Sequence, residues 1–173
     1  MPPRAPIELV SYSPQWVSTF NAERAVLHSV LPHATFRIEH IGSTAVPGLR
    51  AKPIIDILIG APSLDEIESR IHALETLGYQ YIREYEVGLP QRRYFSKPHV
   101  RPRQFHLHAV AIDNSFFAEH LSFRDELRSN PSLAADYLAL KLELAARFVD
   151  DAQRYADAKG PFIRSVVSRL AAP

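Results

Sequence analysis

The sequence predicts an α/β protein: a mixed β-sheet with helices mainly on one face and a helical C-terminal part. Three observations carry this. Apolar or alternating runs at 36–41, 53–59 and 104–112 read as strands. Amphipathic stretches opened by capping residues lie before and between them. From residue 114 onward helical patterns follow one another without a further strand. The 173 residues suit a single domain spanning 1–173.

Residues 1–12 read as an extended arm in which Ile7, Leu9 and Val10 pair or pack. Ser13 and Pro14 then open a helix over 14–31, where Trp16, Phe20, Leu27 and Leu31 fall near helical spacing and Pro32 stops it. The strand 36–41 runs into Gly42-Ser43-Thr44, a small-residue turn. Pro47-Gly48 marks another turn, and Lys52 precedes the apolar strand 53–59. Ser63-Leu64-Asp65-Glu66 is a capping box, with Leu64, Ile67, Ile71 and Leu74 on one helical face and Gly78 closing the helix. Residues 79–85 alternate as a strand, a turn follows at 88–90, and the basic run 92–97 leads to the strand 104–112. Asn114 caps the next helix, Asn130-Pro131 breaks it, and 134–149 forms another. Asp150-Asp151 ends that helix and is placed to cap its successor, in which Tyr155 and Lys159 share a face. Gly160-Pro161 leads into a last helix over 162–170.

Composition excludes several chemistries. With no cysteine there is no disulfide, thiolate nucleophile or Cys-zinc site. A net charge of +1 gives no global electrostatic case for nucleic acid or acidic membranes. No run approaches the ~20 apolar residues of a membrane span, and the N-terminus lacks the apolar core of a signal peptide, so a cytoplasmic protein is the default expectation.

Two features carry chemistry. Asp56 lies inside the apolar strand Pro53-Ile54-Ile55-Asp56-Ile57-Leu58-Ile59, where an unpaired buried carboxylate costs several kcal/mol; such a group is paired, metal-bound or at an exposed strand end. Upstream, Gly42 lets backbone approach a ligand closely, and Ser43 and Thr44 offer hydroxyls and amides for phosphate oxygens. The second feature is His106 and His108, two apart and so on one face of their strand. With Asp56 on a neighbouring strand they form either a 2-His-1-carboxylate metal set or a hydrogen-bonded pair lining a cleft. His40, beside the turn, is either a ligand or locally hydrogen-bonded, and Glu39 is a further candidate oxygen ligand if it faces inward. Between Val87 and Ile112 there is no acid, while Arg92, Arg93, Lys97, Arg101 and Arg103 are basic. This tract suits an anionic ligand or a solvated hairpin.

The run HIGSTAVPGLRAKPIIDI resembles the signature of the GrpB-like family, and the likeness extends over nearly the whole chain. That family is in turn similar, distantly, to the polymerase-beta-type nucleotidyltransferases, whose pattern is Gly-Ser, a spacer, then two acids one residue apart, with a third acid on a later strand. Gly42-Ser43 and Asp56 match; Leu58 stands at the second acid, and the His106-Leu107-His108 strand takes the third acid's place. The resemblance implies a nucleotidyl- or phosphoryl-transferase-like protein whose core binds a nucleotide or phosphorylated small molecule with a divalent metal. Asp56, His106 and His108 are then catalytic and would hold a divalent metal. With two imidazoles among three ligands, Mn²⁺ or Zn²⁺ suits better than Mg²⁺. Gly42, Ser43, Thr44, Lys52, Arg92, Arg93, Lys97, Lys141, Tyr155 and Lys159 would contact phosphate or nucleotide, Lys141 by its match to the family's Tyr-x-x-Leu-Lys run. GrpB-like domains also resemble a segment fused to dephospho-coenzyme A kinase, which implies an accessory module that binds a nucleotide or coenzyme A precursor without chemistry. A metalloenzyme unrelated to nucleotides, built on Asp56, His106 and His108, is a third expectation.

Overall fold

The structure, a computed structural model, describes residues 6–171. It contains α1 (Gln15–His28), β1 (Arg37–Ile41), β2 (Ile55–Ala61), α2 (Leu64–Glu68), α3 (Ile71–Thr76), β3 (Gln80–Tyr81), β4 (Arg92–Lys97), β5 (Phe105–Ala111), α4 (Ser115–Ser129), α5 (Pro131–Arg147), α6 (Ala152–Ala158) and α7 (Gly160–Leu170). Single 3₁₀ turns occupy Ser43–Ala45 and Arg83–Glu86.

Five strands form one mixed sheet in the order β1-β2-β5-β4-β3. The central pair, β2 and β5, is parallel, and every other neighbour is antiparallel. The parallel register sets Asp56 beside His106 and Leu58 beside His108. Because strand side chains alternate, the sheet has two unlike faces. Ile55, Ile57, Ile59, Phe95, Leu107 and Ala109 face one way and join Trp16, Phe20 and Leu27 of α1, Ile67 of α2 and Leu74 of α3 in the main core. Burying each such side chain fully is worth about 1.5–3 kcal/mol. The other face carries Asp56, Leu58 and Gly60 on β2 and His106, His108 and Val110 on β5. α4 covers its far end, where Phe117 packs on Ile41, Leu58 and Val110. The C-terminal helices pack beside the segment after β1: Leu127, Leu133, Tyr137 and Val166 enclose Val46 and Leu49.

The expected caps are present. Asn114 accepts from the Phe116 amide at 3.0 Å, Asn130 from Leu133 at 3.1 Å and Asp151 from Arg154 at 3.0 Å. Of the N-terminal arm, residues 1–5 lie outside the described residues; Val10 makes a β-bridge with Ala51 and Leu9 is buried. Two expectations are corrected. The helix read over 63–78 breaks into α2 and α3 at Ser69-Arg70, where the Ser69 hydroxyl donates to the Glu66 carbonyl at 2.7 Å and competes with the helical ladder. The strand read over 79–85 is only Gln80–Tyr81, because the edge strand turns into 3₁₀ structure at Arg83. No helix among the described residues is long and apolar enough to cross a membrane.

Candidate functional site

The site begins where β1 ends. Gly42 has φ +71° and an extended ψ of −173°, a conformation that side chains rarely adopt. A Cβ there would lie 2.5 Å from Asp56 Oδ2. Glycine is thus required twice: for the turn, and for the room in which the Asp56 carboxylate sits. Asp56 faces His106 Nδ1 at 3.4 Å and His108 Nε2 at 3.8 Å, both through Oδ1, and its side chain remains 30% exposed. Burial pushes its carboxyl up, but the two imidazoles outweigh that and hold it well below the usual carboxylate range. Asp56 is therefore an anion at neutral pH, and can only accept from its neighbours.

Arg92 fixes the tautomer of His108. Its guanidinium, which has donors only, lies 3.2 Å from His108 Nδ1, so Nδ1 accepts and the ring proton sits on Nε2, facing Asp56. Burial lowers the His108 pKa against the pull of Asp56, which agrees with a neutral ring. His106 presents Nδ1 to the same carboxylate oxygen and leaves Nε2 as the nitrogen able to take a proton from elsewhere. Tyr94, opposite His108 on β4, packs its ring 5.2 Å from His108 and 5.7 Å from His106.

This geometry bears on a metal. Among the described residues no group of three or more His, Asp or Glu is arranged to hold one. The two histidine nitrogens converge on one carboxylate oxygen, and one of them carries a proton. The second-acid position, Leu58, is fully buried beneath α4. Glu39 shares the face but sits opposite Leu58, not Asp56, and is held by Arg37 at 3.0 Å and Arg124 at 2.9 Å. The donor set as it stands does not fit a divalent ion.

Three lysines gather on the β1–β2 side. Lys141, 1% exposed, donates to the Ser43 hydroxyl at 3.0 Å and to the Arg50 carbonyl. Burial, with help from the Lys159 charge, pushes its pKa down to about 7. Lys159 stands 4.6 Å and Lys52 5.1 Å from the centre of the buried Tyr155 ring, one cation-π contact each. Burial lowers Lys159 to about 8 and also lowers Lys52, in both cases against the attraction of Asp56. No lysine of the three has a carboxylate within 4.0 Å among the described residues.

The structure thus brings together Gly42, Ser43, Lys52, Asp56, Arg92, His106, His108, Lys141, Tyr155 and Lys159. Three expected phosphate contacts lie elsewhere. Arg93 and Lys97 project to the opposite face of β4, where Arg93 pairs with Glu68 at 2.7 Å and Glu86 at 3.5 Å, and Lys97 pairs with Glu23 at 2.9 Å. Thr44 is buried with its hydroxyl 2.9 Å from His40 Nε2. His40 is itself structural: it stacks on Phe20 with ring centroids 4.7 Å apart, and burial lowers its pKa to about 4. Residues that the sequence left without a role here are Tyr94 and Ser96. Their signal was the phase of β4, in which 92, 94 and 96 share a face.

Comparison with known proteins bears on the family and the fold. The model of the GrpB protein family matches residues 6–169. The chain is 31% identical over 164 residues to the glutamate-rich protein GrpB of Alkalihalophilus pseudofirmus, covering 94% of each. It is 34% identical over 163 residues to the UPF0157 protein YqkA of Bacillus subtilis, but spans only 47% of that protein's length. It is also 30% identical to a dephospho-CoA kinase of Mycobacterium leprae, of which it spans 46%. The crystal structure of the conserved protein GrpB from Enterococcus faecalis superposes with a TM-score of 0.82 at 36% identity, covering 94% of this chain and 96% of that one. Terminal uridylyl transferase 4 from Trypanosoma brucei, with bound dUTP, shares the fold at a TM-score of 0.56 and 13% identity, covering 92% of this chain and 54% of that one. Both the sheet with its glycine turn and the match along almost the whole length lead to one conclusion: the chain belongs to the GrpB family, on a nucleotidyltransferase-like fold.

Proposed function

We propose that the face around Asp56 binds a phosphorylated small molecule of the nucleotide class, its phosphates held between the Ser43 turn and Lys52, Lys141 and Lys159. One observation supports this above the others: three partly or fully buried lysines collect at one place with no carboxylate within 4.0 Å among the described residues, Asp56 acting on Lys52 and Lys159 only from farther away. Clustered unpaired cations repel one another and are costly to desolvate, and a polyanion removes both costs. The fold shared with a uridylyl transferase that binds dUTP gives the same ligand class an associational footing.

A second reading adds group transfer. The anionic Asp56 orients His106 through Nδ1; His106 Nε2 then accepts the proton of a hydroxyl that attacks a ligand phosphorus, the P–O bond to the leaving phosphate or pyrophosphate breaks, and the lysines neutralise the charge of that leaving group. The alternative is a module that binds a nucleotide or coenzyme A precursor without turnover; the dephospho-CoA kinase relative makes dephospho-coenzyme A a natural test ligand.

The experiment is a thermal-shift panel of nucleoside triphosphates, dephospho-coenzyme A and inorganic phosphate, each with and without Mg²⁺, Mn²⁺ or Zn²⁺. A ligand at ~100 times its dissociation constant adds about 2.7 kcal/mol of stability. The expected result is a shift with at least one phosphorylated ligand that Lys159→Met abolishes. No shift with any of them removes the proposal. Product formed by the native protein and lost in His106→Gln separates transfer from binding alone.

A further inference from the structure

Four buried side-chain polar atoms have no hydrogen-bond partner among the described residues, and three of them collect on one side of the site: Arg92 Nε and Ser96 Oγ on β4, and Arg103 Nε on the loop after it. Ser96 is completely buried, on the site face opposite His106. Arg92 is half-buried, and burial lowers its pKa; its other nitrogens reach only neutral acceptors, His108 Nδ1 and the Tyr85 carbonyl at 3.3 Å. Neither Arg92 nor Arg103 has a carboxylate within 4.0 Å among the described residues, whereas Arg93, next in sequence to Arg92, has two. Arg92 lies 5.2 Å from the centre of the Tyr94 ring, whose phenol is pushed up by burial and by Asp56, against the charges of Arg103 and Arg92. Buried donors are normally satisfied, and a guanidinium is shaped to hold an oxyanion in a fork.

We infer that Arg92 and Arg103, with the Ser96 hydroxyl, form a second oxyanion subsite across Asp56 from the lysines, so that the ligand is anionic at both ends. This rests on the lysine-side reading above and specifies its substrate class: a phosphorylated compound carrying a second phosphate or a carboxylate. β4 is two strands from β2, so the strand that carries Arg92 and Ser96 runs roughly 10 Å from the one that carries Asp56. Asp56 and His106 lie between the two poles, over the middle of such a ligand. The carboxylate repels an anion placed midway and favours a neutral, hydroxyl-bearing or alkyl centre there.

The test compares two simple probes in metal-free buffer by isothermal titration calorimetry: pentyl phosphate and pentane-1,5-diyl bisphosphate. The native protein binds the bisphosphate about tenfold more tightly, the gain of one charge-assisted anchor. Arg103→Gln lowers that ratio to about one, and Arg103 Nε has no hydrogen-bond partner among the described residues for the change to break. Equal affinity of the native protein for the two probes, with pentyl phosphate still weakened by Lys159→Met, overturns the second subsite and leaves the lysine side standing. A preference that survives Arg92→Gln and Arg103→Gln together also overturns it. Binding of neither probe overturns both readings.

Discussion

The two faces of the sheet treat positive charge differently. On the packed face Lys97 meets Glu23 and Arg93 meets Glu68 and Glu86, and Glu23 also accepts from the Tyr79 hydroxyl at 2.9 Å. On the other face, apart from Glu39 with Arg37 and Arg124, the cations Lys52, Lys141, Lys159, Arg92 and Arg103 have no carboxylate within 4.0 Å among the described residues, and Asp56 is already engaged by two histidines. Paired cations on the first face fasten helices to strands. Unpaired cations on the second leave charge for something else to neutralise. Adjacent residues of one strand, Arg92 and Arg93, fall on opposite sides of this divide.

The comparison breaks most sharply on the packed face. Glu23→Leu strands the Lys97 ammonium and the Tyr79 hydroxyl together, and is expected to cost about 3 kcal/mol in urea unfolding, as loss of one partner of a buried pair does. A cost below ~1 kcal/mol would mean that the packed face does not depend on its pairs. Next in size is Gly42→Ala, which forces a Cβ to a positive φ and against Asp56; about 2 kcal/mol is expected. Here Asp56→Ala in the same chain should recover part of the loss, and simple additivity in the double-mutant cycle would show that the carboxylate is not what the glycine accommodates.

Smallest, and particular to the open face, is a pH effect. Lys141 and Lys159 titrate near 7 and 8 when folded, against 10.5 ordinarily. The unfolded chain therefore binds more protons between about pH 7 and pH 10, and the contribution of these lysines to stability rises with pH across that window. Affinity for phosphate moves the opposite way, falling roughly tenfold from pH 7 to 9 as the ammonium groups lose their protons. Stability and phosphate affinity changing in parallel would place the titrating groups elsewhere.

Much of this was legible in the sequence. Asp56 stood out as a carboxylate among isoleucines, Gly42 as the glycine of a strand-ending turn, and His106 and His108 as a pair two residues apart. Each is a local pattern with a local physical cause. Arg93 and Lys97 were grouped with Arg92 because charge was counted along the chain while a strand sorts it by alternation, and because their partners lie 25 and 74 residues away. Lys141 was beyond any local rule: it meets Ser43 across 98 residues, and only a family resemblance pointed to it. Thr44 was assigned to phosphate by adjacency to Ser43, but the turn sends consecutive hydroxyls to different sides, one to Lys141 and one to His40.

Leu58 bears on how this protein can evolve. It occupies the position of a second acid, yet it is part of the floor on which α4 rests, with Ile41, Val110 and Phe117 around it. A single codon change to aspartate would put a carboxylate into that apolar contact, at a cost of several kcal/mol, in a chain whose whole margin of stability is of the order of 5–15 kcal/mol. Restoring a pair of acids would require α4 to be refitted at the same time. Selection working one substitution at a time meets a barrier there, so new chemistry on this scaffold is more accessible through the exposed loop carrying Arg101 and Arg103 than through the strand that carries Asp56.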